Sequence, residues 1–403
     1  MNKKVNFEFL KEEFLEELNN ILEFWSSQAV DRQFGGFVGC INHFGAIKPM
    51  ATKGAVLNTR ILWTFSAAYN IIGSEKLLKL ADSAYDYIKS CFWDNINGGL
   101  FWEVNHLGQA LNTRKQAYAQ GFGIYAFSEY YRATGNKESL EYAKKLFQLL
   151  ESNFRDKTHG GYIEALDKNW NPLEDMRLSE KDANYPKSMN THLHILEPYT
   201  NLYRVWPNEE LKKSILHLID IFQKHIIDEE TGHFSLFFEM DWTCKSELVS
   251  YGHDIEGAWL IHEAAIEIAD QQVVHDAQKS ALLLVNSTLK DGRDTDGSLF
   301  YETEGNHTDT DKHWWPQAEA MVGAMDAWQM SGNDDYLTEV DRVWAFIKEN
   351  LIDYENGEWF GRVDKNGEPY ETEDKAGFWK CPYHNTRALI EMMNRIDALP
   401  TQQ

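Results

Sequence analysis

The sequence has little positive charge. Its 403 residues include 39 lysines and arginines against 63 aspartates and glutamates, and the formal net charge is −24. Proteins that bind nucleic acid or an anionic membrane surface usually present a basic stripe, and this composition leaves none. We therefore expect neither nucleic acid nor a membrane as partner. A neutral small molecule suits the charge better.

Three further features are missing. The four cysteines, Cys40, Cys91, Cys244 and Cys381, are far apart in the sequence and form no metal or redox pair, as is usual in a reducing compartment. No apolar run reaches the length of a membrane span, and residues 1–20 lack the apolar core of a signal peptide. Neither a dinucleotide fingerprint nor a phosphate-binding loop occurs. These absences predict a cytoplasmic protein that needs no cofactor.

Aromatic residues are abundant instead. The sequence has 14 tryptophans and 18 tyrosines, more than packing alone requires. Aromatic faces are common platforms for sugar rings, although most individual aromatic side chains are core residues. The composition is therefore compatible with a carbohydrate ligand.

A glycine turn followed by an apolar or aromatic, strand-like segment recurs six times. The turns are marked by Gly36, Gly99, Gly161, Gly232, Gly297 and Gly357, at intervals of 60 to 71 residues. Between successive turns lie two amphipathic segments, for example residues 55–69 and 75–91. Such regular spacing indicates one repeat architecture rather than several unrelated domains.

The repeat predicts an all-α fold, an (α/α)6 barrel of inner and outer helices with short β-hairpins at one mouth. We expect a single domain over residues 1–403, with an N-terminal helix at about 7–26 closing the ring beside a last helix at about 383–395. The first helix of each pair is the more apolar and should be inner. Its N-terminus should lie at the mouth with the hairpins. Pro186 and Pro382 are each predicted at the start of an inner helix.

Polar residues within these apolar helices are candidates for a site at the mouth. The first inner helix carries Asn58 and Arg60. A buried arginine forms a structural ion pair or binds a substrate oxygen, and the sequence leaves both alternatives open. The second helix carries Tyr118 and Gln120, for which packing is the simpler explanation.

The third inner helix carries Asn190, His194 and Glu197, whose spacing places them on one face. His192 is two residues from His194 and therefore points to another side of the helix, which does not suit a zinc site. We predict no metal.

The last three inner helices repeat this pattern. The fourth carries His253, Glu256 and Trp259 at steps of three, and Glu256 either serves the site or merely caps the helix or holds His253. In the fifth, Glu319 follows Trp315 by one turn. The sixth begins just after Trp379 and Pro382, and it holds His384. Convergence of three histidines from separate repeats is harder to explain by packing than any single residue.

Histidine has an unperturbed pKa near 6.5 and can both take and give a proton near neutral pH. Two histidines on separate inner helices could lie on opposite faces of a carbon next to a sugar aldehyde. One would remove its proton, an arginine would stabilise the enediolate oxygen, and the other would return a proton from the opposite side. The result would be inversion at C2 without a redox cofactor.

Several segments together resemble the N-acylglucosamine 2-epimerase superfamily, most closely its cellobiose 2-epimerase branch. They are His253-Asp254-Ile255-Glu256 through Trp259, Trp314-Trp315 through Glu319, residues 190–194, residues 53–60 and residues 379–384. The similarity spans nearly the whole chain, and these motifs occur in the same order. The resemblance implies ring opening, then deprotonation and reprotonation at C2 through a cis-enediol.

The resemblance also implies roles for individual residues. His253 and His384 would be the acid/base pair, in either order, and His194 would assist at the ring or anomeric oxygen. Arg60 would contact the O1/O2 region, and Glu256 and Glu319 would orient histidines. The substrate-binding residues would be Asn58, Tyr118, Asp182, Asn190, Trp259, Trp315 and Trp379.

The predicted substrate is a neutral β-1,4-linked disaccharide such as cellobiose, and also lactose. Free mannose or glucose, epimerised at C2 or isomerised to a ketose, is the first alternative. An inverting glycoside hydrolase using Glu256, Glu319 or Asp182 is the alternative from another class, and a non-catalytic sugar-binding protein is a third. We expect a monomer or a weak homodimer.

Overall fold

Two concentric rings of helices make up most of residues 6–400, the part of the chain that the computed structural model describes. The helices are α1 (Phe7–Ser27), α2 (Ala55–Ile72), α3 (Glu75–Tyr87), α4 (Ala117–Thr134), α5 (Lys137–Leu149), α6 (Met189–Val205), α7 (Glu209–Ile221), α8 (Tyr251–Ile268), α9 (Gln271–Asp291), α10 (Trp314–Ser331), α11 (Asp335–Phe346) and α12 (Tyr383–Asp397).

The even-numbered helices form the inner ring. Each packs against the next, and α12 returns to α2. The odd-numbered helices lie outside, and α1 packs on α12, so the N-terminal helix closes the ring as predicted. The (α/α)6 barrel is confirmed.

Burial explains which helix of each pair is inner. In α2 every residue from Ala55 to Ala68 is buried, which requires a helix that is apolar on all sides. In α3 burial is confined to one stripe that includes Leu77, Ala81 and Ala84, and the opposite face is solvated. Four outer helices, α3, α5, α7 and α11, end in a single π-helical turn, so the predicted segment 75–91 is α3 followed by Ile88–Phe92.

The connections at the mouth are short strands. They are β1 (Lys53–Gly54), β2 (Glu103–Val104), β3 (Ala110–Asn112), β4 (Lys115–Gln116), β5 (Ala165–Leu166), β6 (Lys187–Ser188), β7 (Ile227–Asp228), β8 (His233–Phe234), β9 (Phe237–Phe238), β10 (Leu248–Ser250), β11 (Glu302–Glu304), β12 (His307–Asp309), β13 (Lys312–His313) and β14 (Arg362–Val363).

These strands join the repeats around the ring. Each strand that immediately precedes an inner helix pairs with a strand of the following repeat: β1 with β2, β4 with β5, β6 with β9, β10 with β11 and β13 with β14. A bridge between Ile41 and Ala376 links the last connection to the first. The N-termini of the inner helices are thereby held at one mouth, as the repeat predicted.

Five buried lysines fix the hairpins beneath these strands. The ion pairs, which we call the hairpin clamps, are Lys53–Asp31, Lys115–Asp94, Lys187–Asp156, Lys312–Asp294 and Lys375–Asp353, with N–O distances of 2.6 to 3.0 Å. In four of them the lysine also donates to a carbonyl of the glycine turn, such as Gly98 at 2.9 Å from Lys115. Each ammonium is thus neutralised and hydrogen-bonded within its own repeat.

The two prolines differ in position from each other. Pro382 is the N-cap of α12, as predicted. The prediction that Pro186 lies in the first turn of an inner helix is wrong, because α6 begins only at Met189. β6, which carries the clamp lysine Lys187, occupies the intervening residues. None of the helices in residues 6–400 is long and apolar enough to cross a lipid bilayer.

Candidate functional site

His384 lies in the first turn of α12 and is almost fully buried. Its Nδ1 is 2.7 Å from Glu319 Oε1 on α10. A carboxylate accepts only, so the imidazole carries its proton on Nδ1 and leaves Nε2 as the basic nitrogen. Burial, and after it the positive charges of Arg60 and Arg387, push the pKa of His384 well below its ordinary value. The imidazole is therefore neutral and able to accept a proton.

His194 is held in the same way from α6, where the backbone is kinked. Its φ and ψ of −87° and 15° are not helical, because Pro198 has no N–H to bond to the His194 carbonyl. That carbonyl faces α4, where a Cβ at residue 121 would approach it to 2.2 Å, so only Gly121 permits the contact. Glu197 Oε2 lies 3.0 Å from His194 Nδ1, and the predicted shared face of these residues is confirmed.

His253, in the first turn of α8, has a hydroxyl partner instead of a carboxylate. Its Nδ1 lies 2.8 Å from Ser250 Oγ, and its ring packs against Trp315 with centroids 4.6 Å apart. Burial, followed by the neighbouring His194, lowers the pKa of His253 to about 3. Trp315 also contacts His384 at 5.6 Å, so this indole lies against both histidines.

The three glutamates of the site meet at one guanidinium. Arg387, one turn after His384 in α12, donates to Glu256 Oε1 and Glu319 Oε1, each at 2.6 Å, and also to Glu197 Oε1. The four residues come from α6, α8, α10 and α12, and each is no more than 2% exposed.

Glu256 lies between two histidines rather than beside His253. Its Oε2 is 3.9 Å from His194 Nε2, and its Oε1 is 3.8 Å from His384 Nδ1. Oε2 is buried and has no hydrogen-bond partner within the described residues. Burial, and then the charge of Glu319, raise the pKa of Glu256 to about 7. The alternative in which Glu256 holds His253 does not match this geometry.

Arg60 is buried without a carboxylate partner. It donates to the Tyr118 hydroxyl at 2.8 Å and to Cys381 Sγ at 3.8 Å, and its guanidinium carbon lies 4.3 Å from the centre of the Phe122 ring. No ion pair among residues 6–400 includes Arg60, and its Nε has no partner there. The structural ion-pair alternative therefore does not apply, and the charge remains able to bind a developing oxyanion.

Aromatic rings surround the same centre. Tyr118 packs edge-on against His194 at 5.0 Å and lies 5.8 Å from Trp379, which remains partly exposed. Trp259 is 1% exposed and donates from Nε1 to Glu319 Oε2 at 3.1 Å. Its position suits the holding of Glu319, whereas Trp315 and Trp379 lie nearer the opening.

A cavity opens beside His253. Its lining includes Asp182, Asn190, Ser250 and Tyr301. The side-chain oxygen Oδ1 of Asn190 has no hydrogen-bond partner within the described residues. The Asp182 carboxylate accepts from the Ser179 N–H and hydroxyl, each at 2.8 Å. Asn58 differs from the other predicted binding residues: its amide donates to the carbonyl of Gly54 at the end of β1, and no hydrogen bond within the described residues joins it to the histidines or the cavity.

The carboxylates of the site are not arranged as a vacant metal site. Donor atoms of Glu256, Glu319 and His384 lie within 4.8 Å of one another. Arg387 already donates to both carboxylates, so a guanidinium supplies the positive charge that this set requires. His192 is also unsuited to metal, because its Nδ1 meets the Ser188 carbonyl and its Nε2 accepts from the Tyr162 N–H.

Sequence reasoning missed Arg387, Ser250 and Tyr383 and gave Glu197 no role. Arg387 is three residues after His384, the same spacing as Glu197 after His194, and this could have marked it. The Tyr383 hydroxyl contacts Glu197 and Arg387. Ser250 precedes the helix, and no spacing rule pointed to it.

Comparisons with known proteins show which family the chain belongs to. The sequence model of the N-acylglucosamine 2-epimerase (GlcNAc 2-epimerase) family matches residues 35–388. The chain is 46% identical to a cellobiose 2-epimerase of Bacteroides fragilis over 390 residues, 96% of this chain and 99% of the relative. It is 38% identical to one of Dictyoglomus turgidum over 394 residues, 97% and 100% of the two chains.

A solved structure is equally similar. The cellobiose 2-epimerase of Bacillus thermoamylovorans superposes with a TM-score of 0.92 at 38% identity and covers 96% of this chain and 100% of that chain. Family match, full-length identity and common fold lead to one conclusion: the chain belongs to the N-acylglucosamine 2-epimerase family and is a carbohydrate epimerase.

Proposed function

We propose that this epimerase inverts C2 of the reducing-end residue of a β-1,4-linked disaccharide, converting cellobiose to 4-O-glucosyl-mannose and acting on lactose in the same way. The observation that carries the proposal is a set of shared contacts: His253 and His384 pack against the same Trp315 ring, and His194 and Arg60, which forms no ion pair within residues 6–400, both contact Tyr118. The substrate class is supported by relatives named as cellobiose 2-epimerases.

The reaction begins with ring opening, in which His194 transfers the proton between the ring or anomeric oxygens. Either His253 or His384 then removes the C2 proton through Nε2, and the electron pair moves into the C1–C2 bond. The negative charge that develops on the C1 oxygen is stabilised by Arg60. The resulting cis-enediolate is protonated at C2 on the opposite face by the other histidine, which must enter this step as the imidazolium with a proton from solvent on Nε2. The aldehyde is restored with inverted configuration, and the two histidines have exchanged protonation states.

The hydrolase alternative fits the carboxylates poorly. Inverting hydrolases hold two carboxyl groups about 6.5–9.5 Å apart, with room for a water molecule between substrate and base. Glu256 and Glu319 both bind Arg387 at 2.6 Å, and they share it instead of facing each other across a cleft. Asp182 is the remaining candidate, and it lines the cavity away from these two.

We further propose that residues 1–403 act as one catalytic domain. The six inner helices form one closed ring, and Arg60 and the three histidines come from four of them, α2, α6, α8 and α12, so the site draws on both the first and the last repeat. The cytoplasmic location, the absence of a cofactor and the monomeric or weakly dimeric state stay predictions from the sequence.

The experiment is incubation with cellobiose, lactose, mannose and glucose in heavy water, with products identified by chromatography and NMR. We expect 4-O-glucosyl-mannose carrying deuterium at C2. Free glucose from cellobiose would support the hydrolase instead. Turnover of the monosaccharides alone would contradict the disaccharide assignment while leaving the acid/base site intact. The His384→Ala variant is the control for background exchange.

A further inference from the structure

Arg387 connects the carboxylates behind two of the three histidines. It binds Glu197, whose other oxygen is 3.0 Å from His194 Nδ1. It also binds Glu319 through Oε1, the same oxygen that lies 2.7 Å from His384 Nδ1. A single glutamate therefore lies between the Arg387 guanidinium and each of the two imidazoles, although His194 is on α6 and His384 is on α12.

This arrangement has two physical consequences. A carboxylate that is held in place by a guanidinium accepts from Nδ1–H, so both histidines adopt the tautomer in which Nε2 is basic. The positive charge also opposes proton uptake by His384, where it follows burial and Arg60 among the causes that lower the pKa.

We propose that Arg387 is a positioning residue for epimerisation: by binding Glu197, Glu256 and Glu319 together, it fixes the tautomer and orientation of His194 and His384. The inference rests on the proposed function, since it assigns Arg387 to those histidines. Arg387 is itself 1% exposed, and its guanidinium carbon is 4.9 Å from the centre of the Trp259 ring, so it is assigned a positioning role rather than contact with the substrate.

The chain contains a matched control on the same helix. Arg395, two turns after Arg387, is also mostly buried, and it donates to Asp326 at 2.7 Å and Gln329 at 2.6 Å. Its guanidinium carbon lies 6.0 Å from the Trp259 ring. Arg395 thus resembles Arg387 in burial, helix and ion pairing, but it contacts none of the three glutamates behind the histidines.

The test compares Arg387→Met, Arg387→Lys and Arg395→Met with the wild type. Initial rates on cellobiose are measured from pH 5 to 9, folding is followed by circular dichroism, and 15N-histidine NMR reports the tautomers. We expect Arg387→Met to lower kcat by about 10²-fold with KM changed less than about threefold, the scale of a lost outer-shell partner. Arg387→Lys should recover part of the loss.

The pH profile separates positioning from a purely structural role. Removing the cation raises the affinity of the His384–Glu319 pair for protons, so the acid limb of kcat/KM should move to higher pH. Arg395→Met should retain the wild-type limb and tautomers, even if it is equally destabilised. An Arg387→Met protein with the wild-type limb and a kcat loss no larger than that of Arg395→Met would overturn the inference.

The test also covers an Arg387→Met variant that does not fold and a wild type that does not epimerise cellobiose. If Arg387→Met does not fold, Arg387→Lys carries the test, with an expected loss of about tenfold in kcat and the same direction of the acid limb; a wild-type profile in that variant overturns the inference. If the wild type does not epimerise cellobiose, the proposed function fails. The tautomers of His194 and His384 then still test the role of Arg387, because a return to mixed tautomers in Arg387→Met requires no substrate.

Discussion

The hairpin clamps and the histidine site both bury charge, but they treat it in opposite ways. In a clamp such as Lys115–Asp94, the ammonium meets the carboxylate and the Gly98 carbonyl, and the carboxylate also accepts two backbone N–H groups. In the site, Glu256 Oε2 and Arg60 Nε remain without partners in the described residues.

The electrostatic consequences differ in sign. Burial opposes ionisation of Asp94, but the bonds from the backbone and from Lys115 outweigh it and lower its pKa. In Glu256 burial and the Glu319 charge prevail, and the pKa rises to about 7. A buried carboxylate whose hydrogen bonds are all made stays ionised and stabilises the fold. One that lacks partners can gain and lose a proton near neutral pH. Four predictions test this difference.

The largest expected effect is on catalysis. His384→Ala and His253→Ala should each lower turnover by at least about 10²-fold, the usual scale for a lost acid or base. Stability should change less by comparison, because the partners left behind are the Ser250 hydroxyl, which lines the cavity, and Glu319, which Arg387 still binds. The measurement is kcat on cellobiose with the melting temperature recorded in parallel. Near wild-type turnover in either variant would show that the acid/base pair is wrongly assigned.

The second prediction breaks a clamp. Lys115→Met leaves Asp94 without its buried cation and should lower the free energy of unfolding by about 3 kcal/mol, while kcat per folded molecule stays within about threefold. Urea titration and kcat measure the two quantities. Lys144→Met is the control, because the Lys144–Glu141 pair is more exposed and should contribute under about 1 kcal/mol. Equal destabilisation by both variants would show that a hairpin clamp contributes no more to stability than an exposed ion pair.

The fold was more predictable than the site, and the reason is physical. Repeated turns and helical periodicity are local and recur six times, so the inner helices and the closing α1 could be placed from sequence. Pro186 was misplaced because a strand that pairs with β9, in a later part of the chain, intervenes before α6. That pairing is tertiary and leaves no local signal.

The histidines and Glu319 were recognisable because they stand out in apolar helices, whereas Arg387 behind them was not. Arg387 looked like any helical arginine, since its three partners come from three other helices. The lysines of the hairpin clamps were not recognisable from the sequence either. Lys53 and Lys115 carry no sequence signal of burial, and they are buried because each pairs with an aspartate of the preceding hairpin.

The third prediction uses the opposite pKa shifts. Glu256 has a raised folded-state pKa, so the stability linked to its protonated form is complete below about pH 4.5 and is lost as the pH rises through about 7. Glu256→Gln should therefore flatten the decline in unfolding free energy between pH 5 and 8 by about 2 kcal/mol. Asp94→Asn should leave the pH dependence between pH 5 and 8 unchanged. The pKa of Asp94 is lowered in the folded protein, so the stability linked to its ionised form is lost only at more acid pH. An unchanged slope in Glu256→Gln would mean that its charge is compensated in the folded protein.

The smallest effect distinguishes the two acid/base histidines. His384 is backed by a carboxylate, and charged hydrogen bonds contribute about 1.5–3 kcal/mol, so Glu319→Gln should cost roughly 10- to 100-fold in kcat. His253 is backed by the Ser250 hydroxyl, a neutral bond of about 1 kcal/mol, so Ser250→Ala should cost only about three- to tenfold. The Ser250 side chain makes no capping bond to α8, so helix stability does not confound the comparison. Deuterium incorporation at C2 from each epimer then shows which face slows: if Ser250→Ala and Glu319→Gln slow the same direction of exchange equally, the two histidines do not serve opposite faces.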